Sequence, residues 1–307
     1  MNKKKRILIL GGSGMLGHLL LRHLSSSPEY DDVHATARSL AGLERNFPKE
    51  LLCRFYAGSV DANHFDSLIR ALGSVQPDIV INCIGIIKQL PISNDPLTAI
   101  AINALLPHRI SLISRTAGAR VIHISTDCVF NGKKGMYVEA DPSDAEDLYG
   151  RTKYLGELGY PHCVTLRTSI IGHELKGGYG LIDWFLSQTR KVRGFSKAIY
   201  TGFPTIELAR IIHDYVLPDH ELSGIYQVSS EPISKYDLLR MVAERYGKEI
   251  EIEPDTDFVQ DRSLDSSRFR EKTGYRPPSW DGLVEMMHDD FLANRCMYPA
   301  RNPGKGE

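Results

Sequence analysis

The segment Ile9-Leu-Gly-Gly-Ser-Gly-Met-Leu-Gly17 decides the fold class of this chain. It follows the run Arg6–Leu10, whose four apolar residues in a row are typical of a strand buried on both faces. It leads into a leucine-rich stretch, Met15–Leu24, which predicts a helix. Glycine permits a tight turn, the approach of a pyrophosphate to the backbone and close packing of the helix on the sheet. A strand, a glycine loop and a helix in this order predict a dinucleotide-binding unit.

Predicted cofactor contacts follow the carboxyl ends of the strands. The glycine loop contributes Gly11, Gly14, Met15, Leu16 and Gly17, and a later strand is followed by Cys83, Ile84 and Gly85. Arg38 and Ser39 stand after the second predicted strand, where a fold that prefers NAD usually carries Asp or Glu. A guanidinium can pair with a 2′-phosphate instead, so we expect NADP(H), with NAD(H) left open. The alternative for Arg38 is a solvated arginine at a strand end.

Strand-like and helix-like segments alternate as far as about residue 170. Further strands are predicted at Val33–Ala37, Cys53–Ala57, Asp78–Cys83, Arg120–Ser125 and Cys163–Arg167. Helices are predicted near His64–Leu72, Leu97–Thr116 and Tyr149–Leu158. This alternation predicts βαβ units and an α/β fold with a doubly wound parallel sheet.

The pattern changes in the second half of the chain. We expect residues 1–170 to form the dinucleotide-binding domain, with part of 195–230 returning to it, and residues 171–307 to form mainly a smaller, mixed substrate-binding lobe. Its predicted elements are helices near Leu181–Thr189, Ser234–Tyr246 and Asp281–Asn294, a helix N-capped by Thr205, and a strand at Gly224–Ser229. The last dozen residues are predicted to be a loose tail.

Composition excludes several classes of protein. The net charge of −1 provides no basic surface for nucleic acid or for a membrane, and we find no apolar run long enough to span a bilayer. Five cysteines without a CxxC pair indicate reduced thiols, so we expect a cytoplasmic protein. His108 and His123 have no metal-ligand spacing, and no metal site is predicted.

Tyr149-Gly-Arg-Thr-Lys153 predicts the catalytic chemistry. Residues i and i+4 of a helix share a face, and an ammonium beside a phenol lowers the phenol pKa, which suits proton exchange with a carbonyl or an alcohol. By itself the spacing also occurs as a surface helix pair. Ser125 and Thr126 end the preceding strand, at the edge where open α/β sheets bind ligands. Either hydroxyl can hydrogen-bond a substrate carbonyl.

Several motifs together resemble those of the extended short-chain dehydrogenase/reductases, and most of all the dTDP-4-dehydrorhamnose reductase family. They are the glycine loop, Pro77–Asn82, Ser125–Asp127 with Val129-Phe130, Tyr149–Lys153 with Gly156-Glu157, Leu166–Ser169, Pro204-Thr205 and the weaker Arg262–Asp265. The resemblance implies a reductase of nucleotide-linked 4-keto-6-deoxy sugars that uses NADPH or NADH.

The resemblance also implies roles for single residues. Thr126, Tyr149 and Lys153 would be the catalytic trio, and Asn103 would be the helix asparagine that supports a proton relay. Asn103, Tyr149 and Lys153 would also belong to the cofactor-binding residues. Candidate substrate contacts are Ser125, Asp127 and Arg262. Arg262 could bind the substrate diphosphate, and a surface arginine is the alternative. A helix asparagine without a catalytic role is likewise the alternative for Asn103.

Departures from the family pattern leave other functions open. Cys128 replaces a tyrosine, Ile170 replaces an aromatic residue, and Ala145–Leu148 replaces a proline and an asparagine. A 4,6-dehydratase would need Glu where Cys128 stands. An epimerase with retained NAD stays open, as does a non-catalytic NADP-binding subunit like the regulatory subunit of methionine adenosyltransferase. A homodimer is also left open.

Overall fold

A computed structural model describes residues 5–30, 32–176 and 178–299. Its strands are β1 (Arg6–Leu10), β2 (Asp32–Ala35), β3 (Ile79–Asn82), β4 (Arg120–Thr126), β5 (Cys163–Thr168), β6 (Ile170–Ile171), β7 (Val192–Tyr200), β8 (Phe203–Pro204), β9 (Gly224–Gln227), β10 (Ile233–Ser234) and β11 (Ile252–Asp261). Its α-helices are α1 (Gly17–Ser25), α2 (Lys49–Leu52), α3 (Phe65–Val75), α4 (Pro96–Ala99), α5 (Leu106–Thr116), α6 (Leu148–Leu155), α7 (Leu181–Ser187), α8 (Thr205–Ile211), α9 (Lys235–Arg245), α10 (Ser267–Thr273) and α11 (Trp280–Ala293).

Six strands form one parallel sheet in the order β2-β1-β3-β4-β5-β9. Both faces of the sheet are covered. In β1, Ile7 and Ile9 belong to one apolar core, and Leu8 and Leu10 belong to the other. A strand with a core on each side must be apolar at successive positions, which explains its uninterrupted run. The predicted doubly wound α/β fold is confirmed.

Two local predictions in this region are wrong. Cys53–Ala57 is not a strand: it follows α2 and makes a single bridge, from Phe55 to Ala35. The ring centroids of Phe55 and Phe47 lie 5.0 Å apart. Phe55 is therefore apolar because it packs in the core and not because it belongs to a strand. Thr205 does not cap α8, because Pro204 holds the N-cap position and no side-chain cap bond forms.

A second sheet, in the order β10-β7-β11, forms the smaller lobe. β7 pairs parallel with β11 and antiparallel with β10, so this sheet is mixed. α9 packs on β7. β6 and β8 form a separate two-stranded parallel pair.

The predicted loose tail is wrong for residues 296–299. Met297 and Tyr298 are buried, and the Asn46 side chain donates to the Met297 carbonyl at 2.8 Å. Tyr298 also hydrogen-bonds His18 of α1, at 3.1 Å. A short aromatic segment that packs on the first helix therefore ends the described chain. The part of the prediction that concerns residues 300–307 lies outside the described residues.

A helical stretch, Pro96–Thr116, joins α4, a π-helical segment at Ile100–Leu105, and α5. Its length and composition alone would allow a membrane span, which the sequence analysis did not anticipate. Half of the apolar window is buried inside the protein, as in the core helix of a soluble protein. The π-helical segment lies against the turn after α6, where a Cβ on Gly156 would come within 2.0 Å of the Asn103 carbonyl oxygen.

Candidate active site

The glycine loop has one open side. Gly11 has a φ of +84°, and a Cβ there would lie 3.3 Å from the Cys83 backbone. A Cβ on Gly17 would lie 2.2 Å from the Gly11 carbonyl oxygen, so these two glycines serve the turn and the packing of α1. Gly14 is exposed, and within 4 Å its Cβ would meet only the Gly11 oxygen, at 3.3 Å. Space for a ligand therefore lies above Gly14.

The beginning of α1 fits a pyrophosphate. Its N-cap position, Leu16, makes no side-chain cap bond, and its first turn carries no acidic residue. A helix N-terminus of this kind attracts an anion through its N–H groups and its dipole. The Leu16 side chain is buried, so this residue can present only its backbone to a cofactor. Met15 lies under Gly180, on which a Cβ would come within 2.7 Å of the methionine methyl group.

The end of β2 carries a positive charge. Arg38 and Ser39 are exposed, and within residues 5–30, 32–176 and 178–299 no carboxylate forms an ion pair with the Arg38 guanidinium. Ser39 Oγ accepts a bond from the Ala41 N–H at 3.1 Å. The Thr36 hydroxyl accepts from the Gly11 N–H at 3.3 Å and ties this strand end to the glycine loop. These residues fit a dinucleotide with a 2′-phosphate.

Asn103 holds the loop after β3 in place. Its Oδ1 accepts from the Ile86 N–H at 2.8 Å, and its Nδ2 donates to the Ile86 carbonyl at 3.2 Å. A Cβ on Gly85 would lie 3.8 Å from Lys153 Nζ, so this loop borders the predicted catalytic lysine. Burial raises the pKa of the Cys83 thiol to about 12, which keeps it neutral. The amide of Asn103 is thus occupied by backbone, and its role in a proton relay stays a prediction.

The three residues that were predicted to be catalytic, Thr126, Tyr149 and Lys153, lie together at the carboxyl end of β4. Lys153 Nζ donates to the Ile124 carbonyl at 2.8 Å. Thr126 Oγ1 donates to Asp127 Oδ1 at 3.1 Å and accepts from the Cys128 N–H at 3.1 Å. The same hydroxyl faces the Tyr149 phenol.

Helix α6 carries Tyr149 and begins at a capped residue despite the departure at Ala145–Leu148. Asp147 accepts the Gly150 N–H at 2.7 Å as the N-cap, and it pairs with Lys88 at 2.6 Å. A capping carboxylate favours the start of a helix because it satisfies an otherwise free N–H and complements the helix dipole. Asp147 therefore fixes the start of α6 and, with it, the position of Tyr149.

The pKa of Tyr149 is not lowered as expected for a phenol beside a lysine ammonium. Burial and the neighbouring Cys128 and Asp127 raise the pKa of Tyr149 above its ordinary value, whereas the Thr126 hydroxyl opposes this shift. Burial lowers the pKa of Lys153 to about 8, against the charge of Glu157. Tyr149 is thus a neutral phenol at neutral pH, which is the state that a proton donor needs.

The two candidate hydroxyls, those of Ser125 and Thr126, have different hydrogen-bond partners. Ser125 Oγ donates to the buried Glu157 carboxylate at 2.7 Å, so it is already engaged. The Thr126 hydroxyl faces the Tyr149 phenol, and it could meet a carbonyl by exchanging its bond to Asp127 for one to that carbonyl. Glu157 and its partner Arg167 stand in the motifs Gly156-Glu157 and Leu166–Ser169, but sequence reasoning assigned no role to either residue.

The candidate substrate residues lie together. Arg262 donates to the Phe130 carbonyl at 2.9 Å and contacts Cys128 Sγ at 3.4 Å. Asp127 is buried, and burial raises its pKa against the opposing charge of Arg262. Tyr200, which sequence reasoning missed because β7 was not predicted, is buried near the same carboxylate. Within the described part of the chain, no group of His, Cys, Asp and Glu is arranged to hold a metal.

Comparison with known proteins adds the family. The family model described as the RmlD substrate binding domain matches residues 5–292. The chain belongs to this family. A similar curated protein is the spore coat polysaccharide biosynthesis protein SpsK of Bacillus subtilis, which is 29% identical over 92% of this chain and 97% of its own length. Subunit beta of methionine adenosyltransferase 2 from Danio rerio is 25% identical over 79% of this chain and 74% of its own length.

Solved structures agree on the fold of this RmlD-family chain. A hypothetical dTDP-4-dehydrorhamnose reductase from Sulfolobus tokodaii is 27% identical, with a TM-score of 0.73 over 90% of this chain and 98% of that chain. A dTDP-4-dehydrorhamnose reductase from Bacillus anthracis, in complex with NADP, is 21% identical, with a TM-score of 0.76 over 94% and 99%. The expected short-chain dehydrogenase/reductase type of oxidoreductase, with an NAD(P) cofactor, is confirmed at the level of the family.

Proposed function

We propose that this RmlD-family protein is an NADP(H)-dependent reductase of a nucleotide-linked 4-keto-6-deoxy sugar. The observation that carries the proposal is the arrangement of Thr126, Tyr149 and Lys153 at the carboxyl end of β4, beside the open side of a glycine loop. The relatives named as dTDP-4-dehydrorhamnose reductases support the substrate class, and SpsK supports a place in polysaccharide biosynthesis.

The proposed mechanism assigns a task to each residue of the trio. A bound nicotinamide supplies the hydride. The Thr126 hydroxyl exchanges its hydrogen bond to Asp127 for one to the substrate carbonyl, which it polarises. Tyr149, a neutral phenol, gives its proton to the oxygen that becomes the alcohol. The Lys153 ammonium stabilises the resulting phenolate by its charge.

The preference for NADP(H) is a further part of the proposal. Arg38 supplies a free cation where NAD-specific folds place a carboxylate. The Bacillus anthracis relative binds NADP, which supports the same choice. Arg262 is proposed to contact an anionic part of the substrate, because its guanidinium lies beside Cys128 within the site. We also propose a cytoplasmic location.

Two other functions can be distinguished from a reductase by experiment. An epimerase with retained NAD would use the same trio but would release no oxidised cofactor. The methionine adenosyltransferase subunit is similar over most of this chain, which favours a second candidate, a non-catalytic NADP-binding subunit. Such a subunit would reduce no sugar at all.

The test is NADPH oxidation against a panel of nucleotide-linked 4-keto-6-deoxy sugars, with the product configuration determined by NMR. We expect at least one sugar to be reduced with one NADPH consumed for each product molecule. A protein that binds NADPH but consumes none with any member of the panel would contradict the proposal.

A further inference from the structure

The last three residues of β4 meet three different groups. Lys153 Nζ donates to the Ile124 carbonyl at 2.8 Å, and Ser125 Oγ donates to Glu157 Oε1 at 2.7 Å. Thr126 is thereby left with its hydroxyl towards the catalytic phenol. Lys153 and Glu157 are four residues apart, so the catalytic helix and the turn that follows it hold this strand end at two successive residues.

A buried arginine fixes Glu157. Arg167 on β5 donates from Nε to Oε1 at 2.8 Å and from its terminal nitrogen to Oε2 at 2.7 Å, and both side chains are 2% exposed. Arg167 pairs in register with Ser125 across the sheet. A two-pronged pair of this kind sets both distance and orientation. Burying two charges is costly, so the pair is weak evidence for stability alone and needs another explanation.

Glu157 also acts on the charge of the catalytic lysine. Burial disfavours the Lys153 ammonium, and the Glu157 carboxylate is the first group that opposes this effect. Cys83, at the end of β3, also faces the lysine, but burial keeps its thiol neutral. His123 faces it from β4, and burial holds the imidazole pKa well below its ordinary value, so it too is neutral. Tyr149, on the same helix as the lysine, is a neutral phenol.

We propose that Glu157, fixed by Arg167, is a positioning residue for the catalytic pair. It binds the end of β4 to the catalytic helix through Ser125, and it supplies the negative charge that keeps Lys153 protonated. The two effects are separable, because one depends on a hydrogen-bond acceptor and the other depends on a charge. The proposal rests on the proposed function only where turnover is measured.

The charge is tested without turnover by NMR titration of protein labelled with carbon-13 at the lysine Cε, with the Lys153 signal assigned by its loss in Lys153→Met. In the parent we expect this signal to titrate near pH 8. Glu157→Gln/Arg167→Met removes the buried charges but keeps an acceptor for Ser125. Its Lys153 should titrate at lower pH, by up to about one pH unit, the size expected for one charge several ångströms away in a partly screened interior, because loss of the Arg167 charge offsets part of the effect of losing the Glu157 charge. Ser125→Ala keeps the charges and should titrate like the parent.

A folded double variant whose Lys153 titrates at the parental pH would overturn the charge role. If that variant does not fold, Glu157→Leu/Arg167→Met replaces it, since apolar replacement of a whole buried pair is often tolerated. The expected titration is the same, because the Glu157 charge is again removed.

Turnover tests the second part of the proposal, the positioning of β4 through the hydrogen bond from Ser125 to Glu157. With a keto sugar that the parent reduces, Ser125→Ala should lower kcat about 10-fold to 100-fold, with the alkaline limb of the pH profile and KM unchanged. The charge variant should lose activity at lower pH than the parent, because its ammonium deprotonates earlier. If the Glu157–Arg167 pair serves folding alone, the double variant should be less stable than the parent. Neither the Lys153 titration nor the alkaline limb of the pH profile should then shift. If no sugar is reduced, the proposed function fails, and the titration still decides the role of Glu157.

Discussion

Arg38 is the single residue that we propose to set the choice of cofactor. Its guanidinium is exposed at the end of β2, and the strand end carries no carboxylate that would repel a 2′-phosphate. Glu157 shows the opposite case, because its role follows from burial and from partners on another strand. The position of Arg38 after a strand could be predicted from the sequence. The environment of Glu157 could not, since a carboxylate in a helix normally indicates a solvated face.

We predict that Arg38→Ala weakens NADPH binding by about 1–3 kcal/mol, the range of a charge-assisted hydrogen bond, and leaves NADH binding nearly unchanged. Arg70→Ala removes the same charge from an exposed position on α3 and is the matched control. Isothermal titration calorimetry measures all six affinities, those of the parent, Arg38→Ala and Arg70→Ala for NADPH and for NADH. Equal binding of NADPH and NADH by the parent would refute the role of Arg38.

At the scale of elements, α6 depends on its first turn. Asp147 caps this helix and also pairs with Lys88. We predict that Asp147→Ala destabilises the helix start by about 0.5–2 kcal/mol and lowers kcat, because Tyr149 lies in the first turn. Asp147→Asn retains a capping side chain and loses only the ion pair, so it should keep most of the activity. Turnover of a keto sugar that the parent reduces, NADPH affinity and thermal unfolding are measured for both variants. Equal losses in the two variants would show that the Lys88 pair, rather than the cap, matters.

The main sheet could be predicted closely, and the second sheet could not. Parallel strands with a core on both faces are apolar at successive positions over most of their length, so β1, β3 and the first part of β5 are visible in the sequence. The long strands β7 and β11 carry charged residues on a solvated face and include Gly194 and Pro254, which disfavour a strand reading. Their pairing depends on contacts between segments about 60 residues apart.

At the scale of the whole molecule, the end of the described chain packs on α1, the helix that follows the glycine loop. Burial lowers the pKa of His18 to about 3, so this residue is neutral. Its Nδ1 lies 2.9 Å from the Gly14 carbonyl and its Nε2 lies 3.1 Å from the Tyr298 hydroxyl. One tautomer satisfies both contacts: Nδ1–H donates to the glycine loop, and Nε2 accepts from the tyrosine.

We predict that Tyr298→Phe lowers the free energy of unfolding by about 1–3 kcal/mol, because it leaves the buried Nε2 of His18 without a donor. NADPH affinity should also fall, since the same imidazole supports the glycine loop. Tyr160→Phe, which removes a partly exposed hydroxyl bonded to His108, is the control and should change neither quantity. Thermal unfolding with and without NADPH measures both effects. Parental stability and affinity in Tyr298→Phe would show that this contact does not support the loop.

The most direct test of the proposed reductase follows deuterium from NADPH that carries deuterium at both C4 positions into a 4-keto sugar nucleotide, for the parent and for Tyr149→Phe. In the parent we predict deuterium at C4 of the alcohol product, with one oxidised cofactor released for each sugar. Tyr149→Phe removes only the phenolic oxygen, so it should bind NADPH like the parent and transfer deuterium about 10²–10⁴-fold more slowly. Absence of deuterium from the product of every sugar, or transfer by Tyr149→Phe at the parental rate, would contradict the account.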